Sequence, residues 1–276
     1  MISITEIQNS SALTNDAKQW ARANLDYLNK PMRLFGSSTK VEKGSDKFNT
    51  YIMYLQPADK VAAKTLCVFA EKAGCKKDCL ISSGQLGMTT GQNAATKRTM
   101  LMLLRPEQFK RELLSEIDKA ETRAIREGIP ALFRLNGTSD IDFSAIIEAR
   151  PSSLFYDYTK IISRLRKNTL ANYDLTFSGS MYSVQSKKAL RKAVGLNYRI
   201  AVAFNTKGLA ADELALPAMP SFDNTDLRHL DKPGTIGYLK RKGSNKAERA
   251  SLNSKTESFF VTSANHKDFI ELINVA

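Results

Sequence analysis

The chain has 276 residues, of which 42% are apolar and 25% are charged, so it has enough apolar material for the core of a soluble globular protein. No apolar run approaches the roughly 18 residues that a membrane helix needs, and the first residues lack the basic and apolar segments of a secretory signal. We therefore expect a cytoplasmic protein with reduced thiols and no membrane partner.

The charge is strongly positive. Lys and Arg number 41 against 28 acidic residues, which gives a net charge of +13 and a pI near 9.6. Such a surplus attracts polyanions and indicates a nucleic-acid or nucleotide partner. A soluble protein with an ordinary basic surface is the alternative, because charge alone identifies no groove or base.

The first half of the chain predicts an N-terminal arm and then a strand and helices. Residues 1–47 form the arm and linker, with a helix over 17–28 and a connector rich in Gly, Ser and Lys. Residues 48–57 are β-branched and aromatic and predict a strand. Residues 93–126 predict a helix that Pro106 divides into two and Gly128 ends.

From residue 130 onward, strands and helices alternate. Strands are predicted at 130–135, 152–160, 171–180, 197–206, 234–243 and 258–263, with helices at 143–150, 161–168 and 183–195 and a long loop over 207–233. This alternation predicts an α/β protein with a parallel sheet, in the form of a partial or full (β/α) barrel, preceded by the helical arm. We expect residues 48–276 to form this barrel-like domain.

All three cysteines, Cys67, Cys75 and Cys79, lie in one short segment with C-x7-C-x3-C spacing. Thiolates select zinc or iron–sulfur centres, and structural zinc sites typically use two closely spaced pairs. Three cysteines without a fourth suit a cluster with one open iron, and the neighbouring lysines favour thiolate. Zinc, buried structural thiols and a Cys75/Cys79 redox pair are the alternatives.

The order of strand, cysteine loop, helix and β/α units over residues 48–205 resembles the radical S-adenosylmethionine enzymes. The resemblance implies a 4Fe–4S cluster on the three cysteines and S-adenosylmethionine at its open iron, although that family's usual spacing is C-x3-C-x2-C. In that family a Gly-rich turn after the second strand contacts the cofactor. Here that turn is NGTSD, which implies cofactor-binding roles for Asn136, Gly137, Ser139 and Asp140.

Several stretches resemble, more closely, the phage-encoded proteins grouped as gene product 88. They are the cysteine loop, NAATKRTMLMLLRPEQF, RLNGTSDI, FYDYTK and GTIGYLKRKG. This resemblance implies a phage origin and action in the cytoplasm of an infected bacterial host. It supplies no catalytic residues.

Other polar side chains form two further candidate sets. Ligands bind at the carboxyl ends of parallel strands, where Asp140, Asp157, Tyr158, Lys160 and Ser178 are expected. Residues 221–231 gather Asp223, Asp226, His229 and Asp231, which predict an Asp/Asn-rich capped turn, with a Mg²⁺ or Mn²⁺ nuclease site as the alternative.

Basic runs are the candidates for nucleic-acid contacts. The main set is Lys240, Arg241, Lys242, Lys246 and Arg249. The runs at 163–168 and 187–192 lie on predicted helices, where phosphate binding and plain solvation explain them equally well.

Two functional hypotheses follow. The first is an iron–sulfur protein of radical S-adenosylmethionine layout that acts on a nucleic acid or nucleotide. The second is a non-catalytic protein that binds nucleic acid or a host factor through its basic face, with structural cysteines or zinc. The sequence contains no P-loop, G-x-S-x-G or H-E-x-x-H motif. Whether the protein is an enzyme therefore depends on the first hypothesis.

Overall fold

The computed structural model describes residues 1–36, 46–76, 78–205, 219–242, 251 and 254–274. The chain forms two compact units. Of the described residues, the first unit comprises 1–36, 46–68 and 79–155, and the second comprises 69–76, 78, 156–205, 219–242, 251 and 254–274. The predicted domain division at residue 47 stays a prediction.

The first unit begins with short helices that share a core with a long one. Its elements are α1 (Ile4–Asn9), α2 (Asn15–Ala23), α3 (Leu25–Asn29), β1 (Phe35–Gly36), β2 (Asn49–Met53), α4 (Gly84–Gly87), α5 (Thr89–Leu104), α6 (Pro106–Glu127), β3 (Ala131–Arg134), α7 (Ser144–Glu148) and the start of β4 (Leu154–Thr159). Ile7, Leu13 and Ala21 of the arm pack in one buried cluster with Met100 of α5. The predicted helical arm is therefore part of the core of this unit. The prediction missed α1, although Ser3 and Glu6 form a capping box at its start.

The predicted break at Pro106 and the predicted stop at Gly128 are both confirmed. Proline suits the first position of α6, because the N–H that it lacks would have no partner within the helix. Gly128 ends α6 in the left-handed conformation with φ 68°, which glycine adopts without steric cost. Between them, Phe109, Leu113 and Ile117 bury one face of the helix.

The second unit continues the alternation. Its elements are the rest of β4, then α8 (Ile162–Lys167), β5 (Tyr173–Gly179), α9 (Val184–Gly195), β6 (Ile200–Phe204), β7 (Ile236–Lys240) and α10 (His266–Asn274). The strand predicted at 258–263 is reduced to a single bridge between Val261 and Phe204, and α10 was not predicted. None of the described helices has both the length and the apolar composition needed to cross a membrane.

The strands form a seven-stranded sheet in which β1 to β7 follow the order of the chain. β1 is antiparallel to β2, whereas the pairs β2–β3, β3–β4, β5–β6 and β6–β7 are parallel. The predicted α/β class with a mostly parallel sheet is confirmed. Over the described residues β1 and β7 are the two edges, so the sheet is open there and closure into a barrel is not confirmed.

Candidate functional site

The turn after β3, residues 136–140, is held together by its own side chains. Asn136 Oδ1 accepts hydrogen bonds from Ser139 Oγ at 2.9 Å and from the Ile141 N–H at 3.0 Å. Its Nδ2 donates back to the Ile141 carbonyl at 3.1 Å. Two of the predicted cofactor-binding side chains, Asn136 and Ser139, therefore bond to each other.

Gly137 joins this turn to the end of β2. Its N–H donates to the Met53 carbonyl at 3.0 Å, and the residue is buried. A Cβ at this position would lie 2.6 Å from that carbonyl oxygen and 2.7 Å from the Tyr54 ring. Only glycine fits here without displacing backbone, so Gly137 is required for packing whatever else it contacts.

Cys67 lies against the same turn. Its Sγ donates to the Thr138 carbonyl at 3.6 Å, and the Asp140 N–H donates to the carbonyl of the adjacent Leu66 at 3.0 Å. The first unit thus brings one predicted cluster ligand to the predicted cofactor-binding turn.

Cys75 lies in the second unit, on the turn formed by residues 69–76 and 78, which we call the 69–78 turn. Ser180 Oγ donates to the Ala73 carbonyl at 2.7 Å just beyond the end of β5. Asp78 forms an ion pair with Arg241, which follows β7, with Oδ1 2.6 Å from Nη2. These contacts hold the 69–78 turn over the carboxyl ends of β5 and β7, the edge at which open α/β sheets bind ligands.

The cysteine ligand set stays a prediction. All three thiols are half-buried. In the part of the chain that the structure describes, no three His, Cys, Asp or Glu side chains are grouped so that they could hold a metal ion.

Two members of the predicted strand-end set meet at the carboxyl edge of the second unit. Lys160 follows β4, and its Nζ donates to Ser178 Oγ on β5 at 2.6 Å. The same Nζ lies 4.7 Å from the centre of the Phe259 ring. Beside this pair is a shallow recess that has no room for a water molecule, and its lining residues include Phe69, Ala73, Phe177, Ser180 and Ser186.

The other members of that set have different partners. Asp157 accepts a hydrogen bond from the Tyr173 hydroxyl at 3.0 Å, and the Tyr158 hydroxyl donates to Asp226 at 3.0 Å. Asp140 belongs to the first unit, in the turn after β3. The strand-end prediction therefore identified one pair, Lys160 and Ser178.

The acidic segment 221–231 has the geometry of a structural turn. Buried Asp226 accepts hydrogen bonds from both Tyr156, at 2.7 Å, and Tyr158. Asp231 lies 3.1 Å from the guanidinium of Arg228, which stacks on the Phe222 ring. The carboxylates of Asp226 and Asp231 thus bind hydroxyls and a cation within this unit, whereas the short helix Arg228–Leu230 has no side-chain cap, so the capped-turn interpretation stays a prediction.

The basic segment that begins with Lys240, the last residue of β7, is only partly available at the surface. The side chain of Arg241 is 9% exposed because of its ion pair with Asp78, whereas Lys240 is exposed. The half-exposed Lys242 pairs with Asp223 at 2.9 Å. Lys246 and Arg249 lie outside the described residues.

A second basic surface lies on helices α8 and α9, whose basic runs could be explained from the sequence equally well by phosphate binding and by plain solvation. Helices α8 and α9 pack against each other and against β5. Neither helix contains an acidic residue. We call their exposed cations the α8–α9 basic face: Arg166, Lys167, Lys188, Arg191 and Lys192. None of these five has a carboxylate partner within the described part of the chain.

We expect Gly137→Ala to lower the free energy of unfolding by about 1–3 kcal/mol, because the new Cβ meets a backbone carbonyl that cannot rotate away. Urea unfolding at an unchanged m-value measures the loss. The control is Gly195→Ala, where a Cβ meets nothing within 4 Å. Equal stability of the two variants would contradict the packing role.

His229 makes stability depend on pH. Burial lowers its pKa, and Asp174 and Asp231 only partly offset this effect. Because the folded pKa lies below the unfolded value of about 6.5, the unfolded state takes up the proton first as pH falls. The free energy of unfolding should therefore decrease as pH falls from about 7 through the folded pKa.

Thermal unfolding across this pH range should show a shallower loss for His229→Gln than for the unmodified chain. The control is His266→Gln, at the other histidine. Parallel profiles for the His229→Gln variant and the unmodified chain would show that His229 is not the titrating group.

Comparison with known proteins identifies the family. The family model described as Gene product 88 matches residues 24–256, which is more than half of the chain. A search of curated proteins and a search of solved structures each find no match. The matched region contains the cysteine segment, the 136–140 turn and the α8–α9 basic face. As the sequence resemblance predicts, the chain belongs to the gene product 88 family.

Proposed function

We propose that this protein binds nucleic acid by contacting the phosphate backbone through the α8–α9 basic face. The observation that carries the proposal is that five exposed cations lie on two packed helices that contain no carboxylate. Phosphate contacts position a protein on nucleic acid without reading its sequence, so we expect little sequence preference.

The excess of Lys and Arg over acidic residues is concentrated in the part of the chain that contains α8 and α9. From Tyr158 to Ala211 the sequence contains ten Lys and Arg residues and one acidic residue, Asp174, which pairs with Arg199. Helix α6, in contrast, carries five cations among six acids. A solvated helix normally mixes both signs, as α6 does, so the exclusion of acids favours a polyanionic partner over plain solvation.

The basic residues at the end of β7, Lys240 and Arg241, contribute less to this proposal. Lys240 is exposed and could add a phosphate contact, whereas Arg241 is committed to its buried ion pair. The family consists of phage-encoded proteins, which supports action on phage or host nucleic acid in the cytoplasm of an infected bacterium.

Neutralising the basic face should weaken binding and its dependence on salt. We expect the triple variant Lys188→Gln, Arg191→Gln, Lys192→Gln to bind a labelled duplex about 10- to 100-fold more weakly. The slope of log K against log salt should fall by about 2–3, since each phosphate contact releases condensed counterions. Fluorescence anisotropy from about 50 to 200 mM salt measures both quantities.

The matched control removes the same charge from α6 with Lys110→Gln, Arg111→Gln and Lys119→Gln, which are also exposed. This variant should retain most of the affinity and the slope. If both triple variants lose affinity equally, net charge rather than the α8–α9 basic face drives binding. If the unmodified chain binds neither duplex nor single strands at the lowest salt, the proposed function is wrong.

The second candidate function is the iron–sulfur one, in which Cys67, Cys75 and Cys79 hold a 4Fe–4S cluster, with S-adenosylmethionine as its ligand. The contact of Cys67 with the 136–140 turn favours it, because the layout of radical S-adenosylmethionine enzymes brings these two segments together. Soft thiolates are the right donors for such a cluster, and zinc is the alternative. The described side chains do not themselves form a preassembled ligand set.

Anaerobic purification tests this candidate. A cluster should give a brown protein with iron and acid-labile sulfide, and Cys67→Ser should lose both. Ser83→Ala, which removes a nearby hydroxyl that makes no side-chain cap bond, is the control and should keep them. A colourless protein that carries zinc or no metal would reject the cluster.

A further inference from the structure

Tyr182 is an exposed aromatic ring that lies at one end of the α8–α9 basic face. It follows β5 and precedes α9, which begins two residues later at Val184. The residue is 39% exposed, although tyrosine is usually buried on at least one side by other side chains. Within the described residues its hydroxyl has no hydrogen-bond partner, so no polar contact explains its position.

One face of this ring is covered by backbone. A Cβ built on Gly74 would lie 2.4 to 3.0 Å from the Cγ, Cδ1 and Cδ2 atoms of Tyr182. Glycine in the 69–78 turn, at φ 67°, therefore lets the ring lie flat against the main chain. With one face supported and the residue exposed, the ring has the form of a stacking platform.

The main chain on both sides of Tyr182 is tied to the same turn. The Tyr182 N–H donates to Ser180 Oγ at 3.1 Å, and that hydroxyl donates to the Ala73 carbonyl. Ser183 Oγ donates to the Lys72 carbonyl at 2.6 Å and also caps α9. The ring is thus preorganised, and a ligand that stacks on it would lose little conformational entropy of the protein.

Positive charge extends from this ring in two directions. Lys72 is exposed on the supporting turn. Lys188 lies about 6 Å along the axis of α9 from its first residue, Val184, at 1.5 Å per residue, and Lys192 about one further turn away. An aromatic ring flanked by a line of cations is the arrangement that binds single-stranded nucleic acid, with a base on the ring and phosphates on the cations.

We infer that Tyr182 stacks on an unpaired base, so that the protein prefers single-stranded over duplex nucleic acid. The inference rests on the proposed function and adds the class of ligand. A duplex hides the faces of its bases within the stack, whereas a single strand can present one to the ring. The α8–α9 basic face would bind the phosphates of either form.

The test compares single-stranded and duplex oligonucleotides of equal length. Tyr182→Ala should weaken single-strand binding by about 5- to 100-fold and leave duplex binding unchanged, whereas Tyr182→Phe should keep both. The control is Leu196→Ala, an exposed apolar residue just beyond the other end of α9. It should change neither affinity.

Stacking has its own spectroscopic signal. A single strand that contains 2-aminopurine should lose fluorescence on binding the unmodified protein and keep it with Tyr182→Ala at saturating protein. No effect of Tyr182→Ala on single-strand affinity, or an equal loss for duplex, would overturn the inference. If Tyr182→Ala does not change single-strand affinity, the triple variant Lys188→Gln, Arg191→Gln, Lys192→Gln should still lose affinity for both forms, so the proposed function would survive.

Discussion

Arg241 and Asp78 are 163 residues apart in sequence, yet their side chains form the ion pair that anchors the 69–78 turn. The guanidinium also lies 4.9 Å over the Phe260 ring, and the two side chains are only 9% and 23% exposed. Removing one partner of such a buried pair leaves an uncompensated charge, which typically costs about 3–5 kcal/mol. The turn that carries Cys75 and supports Tyr182 therefore depends on this contact for its position.

The α8–α9 basic face works against the stability of its own helices. Lys188 and Lys192 are separated by one turn, and like charges at this spacing destabilise a helix by about 0.2–0.5 kcal/mol per pair. Lys187 and Arg191 repeat the pattern, and among the described residues only Lys187 of these four cations has a nearby carboxylate, 3.5 Å away on Asp268. Helix α6 avoids this cost with its own acids. Local rules are typically broken at functional sites, and the polyanionic ligand that we propose would relieve this repulsion.

The sequence predicted the order of the elements well and the site only in part. Each strand from β3 to β7 is short and rich in apolar, aromatic or β-branched residues, and Pro106 and Gly128 act locally, so their effects could be read from neighbouring residues. The pairing of Asp78 with Arg241 depends on how the whole sheet folds, and no local signal reveals it. The position of the Tyr182 ring likewise depends on its packing against Gly74, which is distant in sequence. A basic run on a helix is ambiguous from sequence, because only the folded chain shows which cations lack carboxylate neighbours.

Gly74 and Cys75 are adjacent, so the two candidate functions share a piece of backbone. The Gly74 N–H donates to the Glu71 carbonyl and the Cys75 N–H to the Ala70 carbonyl, which makes the turn a single hydrogen-bonded unit. A metal ion or cluster bound at Cys75 must either fit this geometry or shift it. A shift of the Gly74 backbone by even a few tenths of an ångström would displace the Tyr182 ring, because there is no room for one more carbon atom between them. Binding at the thiol and stacking on the ring are therefore expected to influence each other through this one turn.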